Sequence, residues 1–168
     1  MDRLRVLGVD CGSTSTGVGV LESDGHGTRL LHYGAIRPRR SRAFGERLQL
    51  IHRELEKLVE RFRPHTIAVE QVFQAYNVKS AMQLSQVRGI VLLAAARAGL
   101  PVSEYSALAI KQSIVGYGRA EKHQVQRMVQ RLLGLPEPPE PEDAADALAV
   151  ALCHLHVETT RRRLASKN

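Results

Sequence analysis

The sequence has little cysteine, few aromatic residues and no long apolar stretch. Its two cysteines, Cys11 and Cys153, are too few and too far apart for a disulfide framework or a zinc-binding pattern. No run approaches the ~18 consecutive apolar residues of a membrane span, and the N-terminus lacks the basic and then apolar segment of a secretion signal. These absences predict a soluble protein of the reducing cytoplasm.

Positive charge, by contrast, is in excess. The chain has 24 Lys and Arg against 17 Asp and Glu, which gives a formal net charge of +7. Such a balance indicates a polyanionic partner such as nucleic acid. With 168 residues, 43% of them hydrophobic, the chain can bury one full core. We therefore expect a single domain over residues 1–158 and a basic, flexible tail over residues 159–168.

The apolar pattern predicts an α/β fold with a five-stranded mixed sheet flanked by helices. Three runs near the N-terminus, at residues 4–10, 16–21 and 29–36, are typical of antiparallel strands joined by tight turns. Two later runs, at residues 66–69 and 101–105, each follow a helical segment and are expected to be parallel strands. Helices are predicted at residues 43–62, 79–98 and 106–115, and from residues 121 and 142 onward.

Four acidic residues occupy notable positions in the predicted strands and helices. Asp10 and Glu70 each end an apolar strand, where a buried charge requires a compensating partner. Asp143 and Asp146 are three residues apart on a helix and share one face. A turn-capping Asp10, or a helix-capping role for one of the other two, is the simpler alternative. Together, the four would bind two divalent ions about 4 Å apart, the arrangement used for phosphodiester hydrolysis.

Basic and aromatic residues lie in the predicted loops. Residues 37–42 contain four arginines, among them Arg39 and Arg40, which suit contacts with a phosphate backbone. Phe73 lies with Tyr76 in the segment after Glu70, where an aromatic ring suits base stacking. Solvation of the arginines, and packing of the aromatics within their own loop, are the alternatives.

One helix and two single residues are expected to have no part in metal binding. The helix predicted at 79–98 is apolar over much of its circumference, which favours either a homodimer or a larger core. His154 lies roughly 12 Å along its helix from Asp146, too far to share a metal ion with it. Cys11 adjoins Asp10, but hard carboxylates favour Mg²⁺ or Mn²⁺, which do not seek thiolates.

Five blocks of sequence follow one another through nearly the whole chain: Gly-Val-Asp10-Cys-Gly-Ser, Ala-Val-Glu70-Gln-Val-Phe73, Ile-Lys111-Gln, Gly-Arg-Ala-Glu-Lys122 and Asp143-Ala-Ala-Asp146-Ala-Leu-Ala. Together they resemble the RuvC family of bacterial crossover junction endodeoxyribonucleases. The resemblance implies a ribonuclease H-like fold and a homodimer with two active sites. It also implies Mg²⁺-dependent symmetric nicking of four-way (Holliday) junctions, alongside a branch-migration complex of RuvA and RuvB.

The resemblance also implies roles for single residues. Asp10, Glu70, Asp143 and Asp146 would be the metal-binding catalytic set, Phe73 would stack on bases of the opened junction, and Lys111 and Lys122 would support DNA binding or catalysis. Cys11 stands where the family commonly has proline, which leaves the ligand unchanged but the turn less restricted.

Two other functions fit part of the pattern. Asp-x-Gly-Ser-Thr-Ser also resembles the first phosphate loop of sugar-kinase and actin-like ATPases, but these need two such domains around a cleft. A non-catalytic junction-binding module would explain the basic surface, but it gains nothing from carboxylates that face phosphates.

Overall fold

Five strands form one mixed sheet in this computed structural model, which describes residues 3–71 and 77–165. The strands are β1 (Leu4–Asp10), β2 (Thr16–Ser23), β3 (Thr28–Ile36), β4 (Thr66–Glu70) and β5 (Val102–Tyr105). Their order across the sheet is β3-β2-β1-β4-β5. The first three strands pair antiparallel, while β4 is parallel to both β1 and β5. The predicted mixed sheet is therefore confirmed.

Five helices cover the two faces of the sheet within the described residues. They are α1 (Phe44–Phe62), α2 (Val78–Arg97), α3 (Ala107–Val115), α4 (Lys122–Leu132) and α5 (Glu142–Ala165). One core lies between the sheet and α1 and α2, and a second lies between the sheet and α3, α4 and α5. None of these helices combines the length and apolar character that a bilayer span requires.

The alternation of side chains along β1 and β4 decides which face each carboxylate occupies. Leu7, Val9, Ile67 and Val69 pack in the core with α1 and α2, whereas Val6 and Ala68 pack in the core with α5. Because side chains alternate with a period of two, Asp10 and Glu70 belong to the face that α5 covers. Val9 pairs with Val69, so the two carboxylates end neighbouring strands at the same edge.

Glycines in β1 and β2 let α5 approach the sheet very closely. A Cβ atom on Gly8 would lie 2.1 Å from the carbonyl oxygen of Ala147, and one on Gly17 would lie 1.8 Å from that of Asp143. Such distances are shorter than any contact between real Cβ and oxygen atoms. The two glycines therefore set how near the start of α5 comes to the strand ends.

The C-terminal segment differs from the expected tail. Helix α5 continues to Ala165, so residues 159–165 are helical. Arg161 Nη1 pairs with Glu158 Oε1 at 2.9 Å, and the Thr160 hydroxyl donates to the carbonyl of His156 at 2.9 Å. These local bonds, with good helix formers around them, extend the helix past the predicted boundary at residue 158.

Candidate active site

The ends of β1 and β4 bring the first two predicted carboxylates together. Asp10 and Glu70 are the last residues of neighbouring parallel strands, on the face covered by α5. The residues directly before them are apolar, with Val9 and Val69 fully buried. In open α/β sheets, the carboxyl ends of parallel strands are the usual place for a binding site.

The start of α5 supplies the other two carboxylates. Asp143 and Asp146 lie in its first turns, and the alanines around them are buried: Ala144, Ala145, Ala147 and Ala149. The Ser15 hydroxyl, in the turn between β1 and β2, donates to Oδ2 of Asp143 at 2.5 Å. The loop that follows β1 therefore contacts the helix that carries the acidic pair.

Two lysines border the carboxylates in a cleft of about 270 Å³. Glu70, Asp146, Lys111 and Lys122 line it, with apolar side chains from α3, α4 and α5. Lys122 Nζ lies 2.9 Å from Asp146 Oδ2 and 3.2 Å from Glu142 Oε2. Residues that are far apart in sequence thus share one opening on the surface.

The electrostatics of Asp10 show that all four carboxylates interact. Burial, and then the charges of Asp146, Glu70 and Asp143, raise the pKa of Asp10 to about 7, although Lys122 opposes the shift. Burial is the largest cause and the three neighbouring carboxylates add to it, so a strongly raised pKa marks Asp10 as a candidate site residue.

The neighbouring groups show the same balance of burial and charge. Burial and the charge of Asp146 raise the pKa of Glu70, while Lys111 and Lys122 lower it. Burial also raises the pKa of Asp146, against the effect of its hydrogen bond to Lys122. For Lys122, burial is outweighed by the bonds to Asp146 and Glu142, which raise its pKa and keep it charged.

The donor set suits a hard divalent cation, but the side chains do not yet converge on one. Within residues 3–71 and 77–165, no three Asp, Glu, His or Cys side chains form a group that would hold a metal ion. Lys122 binds Asp146 and Ser15 binds Asp143, so an oxygen of each is already engaged. Oxygen-only donors and uncompensated charge at Asp10 fit Mg²⁺ or Mn²⁺. The other oxygen of each carboxylate remains available to a cation.

The other predicted residues lie in different places. Arg39 and Arg40 are exposed in the turn between β3 and α1. Phe73, with Tyr76, lies outside the described residues, so its predicted role stays a prediction. His154 is buried, with Nδ1 2.8 Å from the Tyr105 hydroxyl, which agrees with its structural interpretation. Burial and Asp10 raise the pKa of the Cys11 thiol to about 12, so it stays protonated at neutral pH.

Sequence reasoning missed three residues at this site. Ser15 contacts Asp143, Arg37 Nε lies 3.4 Å from Ser15 Oγ, and Gly17 lies beneath the backbone of Asp143. The available signals were the hydroxyl-rich turn directly after Asp10 and the alternating glycines at the start of β2. Neither signal predicts that the turn and β2 contact Asp143, because Asp143 is on α5, more than a hundred residues later in the sequence.

Comparison with known proteins gives consistent matches over nearly the whole chain. The family model described as crossover junction endodeoxyribonuclease RuvC matches residues 6–154. The chain is 47% identical over 165 residues to the RuvC of Koribacter versatilis, covering 98% of this chain and 99% of that protein. It is 52% identical over 153 residues to the RuvC of Geobacter sulfurreducens, covering 90% and 92%.

A solved structure matches the fold equally well. Thermus thermophilus RuvC in complex with a Holliday junction substrate superposes with a TM-score of 0.89 at 37% identity, covering 94% of this chain and 96% of that one. The five-stranded mixed sheet and this likeness confirm the expected ribonuclease H-like fold.

Proposed function

The chain belongs to the RuvC family of crossover junction endodeoxyribonucleases and is a Holliday junction resolvase, and we propose that it acts by two-metal-ion hydrolysis at Asp10, Glu70, Asp143 and Asp146. In this proposal, two symmetric nicks in opposite strands resolve the four-way junction. The observation that supports it most directly is the coupling of Asp10 to the other three carboxylates.

This coupling is hard to explain by a binding role alone. The chain carries a net charge of +7, yet Glu70 and Asp146 line a cleft that a phosphate backbone would approach, and both, with Asp143, act electrostatically on Asp10. Acids facing phosphates weaken DNA binding unless cations lie between them. We therefore favour a catalytic site over a non-catalytic junction-binding module.

The side chains have distinct tasks in this mechanism. The four carboxylates would hold Mg²⁺, or Mn²⁺ in its place, and when bound the ions activate water and neutralise charge on the scissile phosphate. Lys111 and Lys122 line the cleft beside Glu70 and Asp146, where an ammonium group attracts the phosphate. Lys122 would exchange Asp146 for the phosphate when ions bind.

Surface arginines would extend this contact along the DNA. Arg39 and Arg40 are exposed in a turn whose neighbour Arg37 reaches Ser15 at the edge of the site. We propose that they bind phosphates that flank the cut, because an exposed guanidinium suits the backbone and carries no base preference.

We also propose that the chain forms a homodimer through α2. Val78, Met82 and Leu93 are 77%, 59% and 49% exposed, and with Gly89 they recur at the spacing of one helical face. Such an apolar stripe favours association with a second copy, which would place two sites on one junction. Sedimentation of the chain at several concentrations measures this directly.

The remaining proposals follow the family. Residues 1–158 would be the nuclease domain, with the basic residues after them extending α5. RuvA and RuvB would be the partners that move the junction, and the site of action would be the bacterial cytoplasm. Cys11 and Cys153 are free thiols, as expected in a reducing compartment.

A nicking assay tests the proposed activity. With Mg²⁺ we expect a synthetic four-way junction to be cut at symmetric positions in two strands, and a linear duplex of the same sequence to remain intact. With EDTA we expect junction binding without cutting, because the carboxylates then lack their cations. Binding without cutting in both conditions would instead favour the non-catalytic module, and ATP turnover would favour the kinase-like alternative.

Replacement of Phe73 tests the proposed stacking. We expect Phe73→Ala to lower the cutting rate by about tenfold, since loss of one base–aromatic stack costs about 1–3 kcal/mol. Junction affinity should change less, because phosphate contacts supply most of it. Phe73→Trp, which keeps an aromatic face, serves as the matched control. Equal cutting by Phe73→Ala and the unaltered protein would remove the stacking role.

A further inference from the structure

We propose that Ser15 is a positioning residue of the nuclease site, which holds the Asp143 carboxylate in place for metal binding. The inference rests on the proposed role of Asp143 as a metal ligand. It concerns a hydroxyl in the β1–β2 turn that does not itself touch the substrate.

The central contact is the hydrogen bond from Ser15 Oγ to Asp143 Oδ2. Its length is 2.5 Å, and it joins residues 128 positions apart. A hydroxyl that donates to a carboxylate at this distance makes a charge-assisted bond, which is shorter and stronger than a neutral one. Because Oδ2 is held, Oδ1 can bind an ion while this bond stays intact. A residue that hydrogen-bonds to a metal ligand commonly orients the ligand in this way.

A cation behind Ser15 fixes the direction of that bond. Arg37 Nε donates to Ser15 Oγ at 3.4 Å. The guanidinium can only donate, so the serine oxygen accepts from Arg37 and its proton points to Asp143. The contact is long and therefore weak, but it disfavours the rotamer in which the hydroxyl turns away.

The turn that carries Ser15 is held by bonds that do not involve its side chain. The buried Thr16 hydroxyl donates to the Gly12 carbonyl at 2.8 Å. Arg47 Nη2 donates to the carbonyl of Ser13. Loss of the Ser15 hydroxyl should therefore leave the turn in place and release only the Asp143 carboxylate.

Capping of α5 is not the role of this serine. Its hydroxyl binds a side-chain oxygen of Asp143, whereas the backbone N–H groups of Ala144 and Ala145 donate to the carbonyl of Pro141. These two N–H groups of the first turn are therefore satisfied by backbone and not by Ser15. A serine that bonds the carboxylate itself affects what that carboxylate can bind.

Three variants test the inference, with Mn²⁺ as the probe. Ser15→Ala removes the hydroxyl, Ser15→Thr keeps it, and Ser13→Ala is the matched control, since Ser13 contributes its backbone carbonyl. The measurements are Mn²⁺ affinity without DNA, single-turnover nicking at saturating Mg²⁺, junction affinity in EDTA, and thermal midpoint.

We expect Ser15→Ala to weaken Mn²⁺ binding and slow nicking, each by about tenfold, as is typical when the second partner of a metal ligand is lost. Junction affinity and thermal midpoint should stay the same. Ser15→Thr should restore both lost properties, and Ser13→Ala should lose neither. This combination separates positioning of a ligand from a general structural role.

Other results would overturn the inference. Unchanged Mn²⁺ affinity and nicking in Ser15→Ala would show that Asp143 needs no such support. Equal loss in Ser15→Thr, with a lower thermal midpoint, would make Ser15 merely structural. If Asp143→Asn binds Mn²⁺ and cuts as the unaltered protein does, the proposed ligand set itself fails, and Ser15 loses its role with it.

Discussion

Asp10→Asn should lower the rate of junction nicking by about 10³-fold or more, while the variant still binds the junction. The amide keeps the size and shape of the carboxylate but has no charge to hold a cation. Asp10 is the acid to which the other three couple, so its loss affects the whole site. Single-turnover nicking with Mg²⁺, and junction affinity in EDTA, measure the two effects separately.

Binding by this variant should equal or exceed that of the unaltered protein, because one negative charge no longer faces the phosphates. Asp24→Asn is the matched control. Asp24 lies in the β2–β3 turn at the far end of the sheet and accepts hydrogen bonds from the backbone of His26 and Gly27. An asparagine accepts the same bonds, so cutting should not change. A nicking rate in Asp10→Asn close to that of Asp24→Asn would refute the assignment of Asp10.

The same variant should also change the dependence of stability on pH. The pKa of Asp10 is about 7 in the folded chain, whereas the ordinary pKa of an aspartate side chain is 3.8. Between these values the folded state binds more protons than the unfolded state, so its stability falls as pH rises from about 4 to 7. The full cost is of the order of 4 kcal/mol, because each pKa unit corresponds to about 1.4 kcal/mol.

Asp10→Asn removes that cost. Measured without divalent cations, its thermal midpoint should match the unaltered protein near pH 4 and exceed it by several degrees at pH 8. Added Mg²⁺ should narrow the gap at pH 8, since the cation compensates the carboxylates of the unaltered chain only. A difference in thermal midpoint that stays constant from pH 4 to pH 8 would mean that folding does not raise the pKa of Asp10.

Much of the sheet and of the acidic set can be predicted from sequence because both follow short periods. Asp10 and Glu70 end runs of alternating or continuous apolar residues, and parallel neighbours place such ends together. Asp143 and Asp146 share a face at any helical position three residues apart. In each case, local regularity fixes the direction of the side chain.

The contacts around those acids depend on the tertiary fold and could not be predicted in the same way. The Ser15–Asp143 bond joins a turn to a helix 128 residues later, and no local pattern encodes that approach. The arginine run at residues 37–42 predicted a basic loop, but not that Arg37 would be the one to reach the site. Composition alone predicted a flexible tail after residue 158. Helix α5 instead continues to Ala165, with local pairs such as Arg161 and Glu158 along it.

Gly17→Ala should lower the nicking rate by about 10²-fold, although the substitution adds one methyl group and removes no functional side chain. The new Cβ would lie 1.8 Å from the carbonyl oxygen of Asp143 and 2.4 Å from its carbonyl carbon. Both are backbone atoms of the first turn of α5, so β2 and the helix must separate. Asp143 and Asp146 then move away from Asp10 and Glu70, and a displacement of about 1 Å is enough for such a loss.

Gly19→Ala provides the control that separates this effect from simple destabilisation. It is in the same strand and faces the same helix, but its Cβ first meets Cδ2 of the Leu148 side chain at 2.7 Å, and the nearest backbone atom, Leu148 N, is 3.1 Å away. We expect it to lower the thermal midpoint while its nicking rate per folded molecule, with folding measured by circular dichroism, stays within about threefold of normal. Junction affinity in EDTA should be the same in both variants. If Gly17→Ala and Gly19→Ala cut equally well, the distance between β2 and the start of α5 does not control the position of the acidic pair.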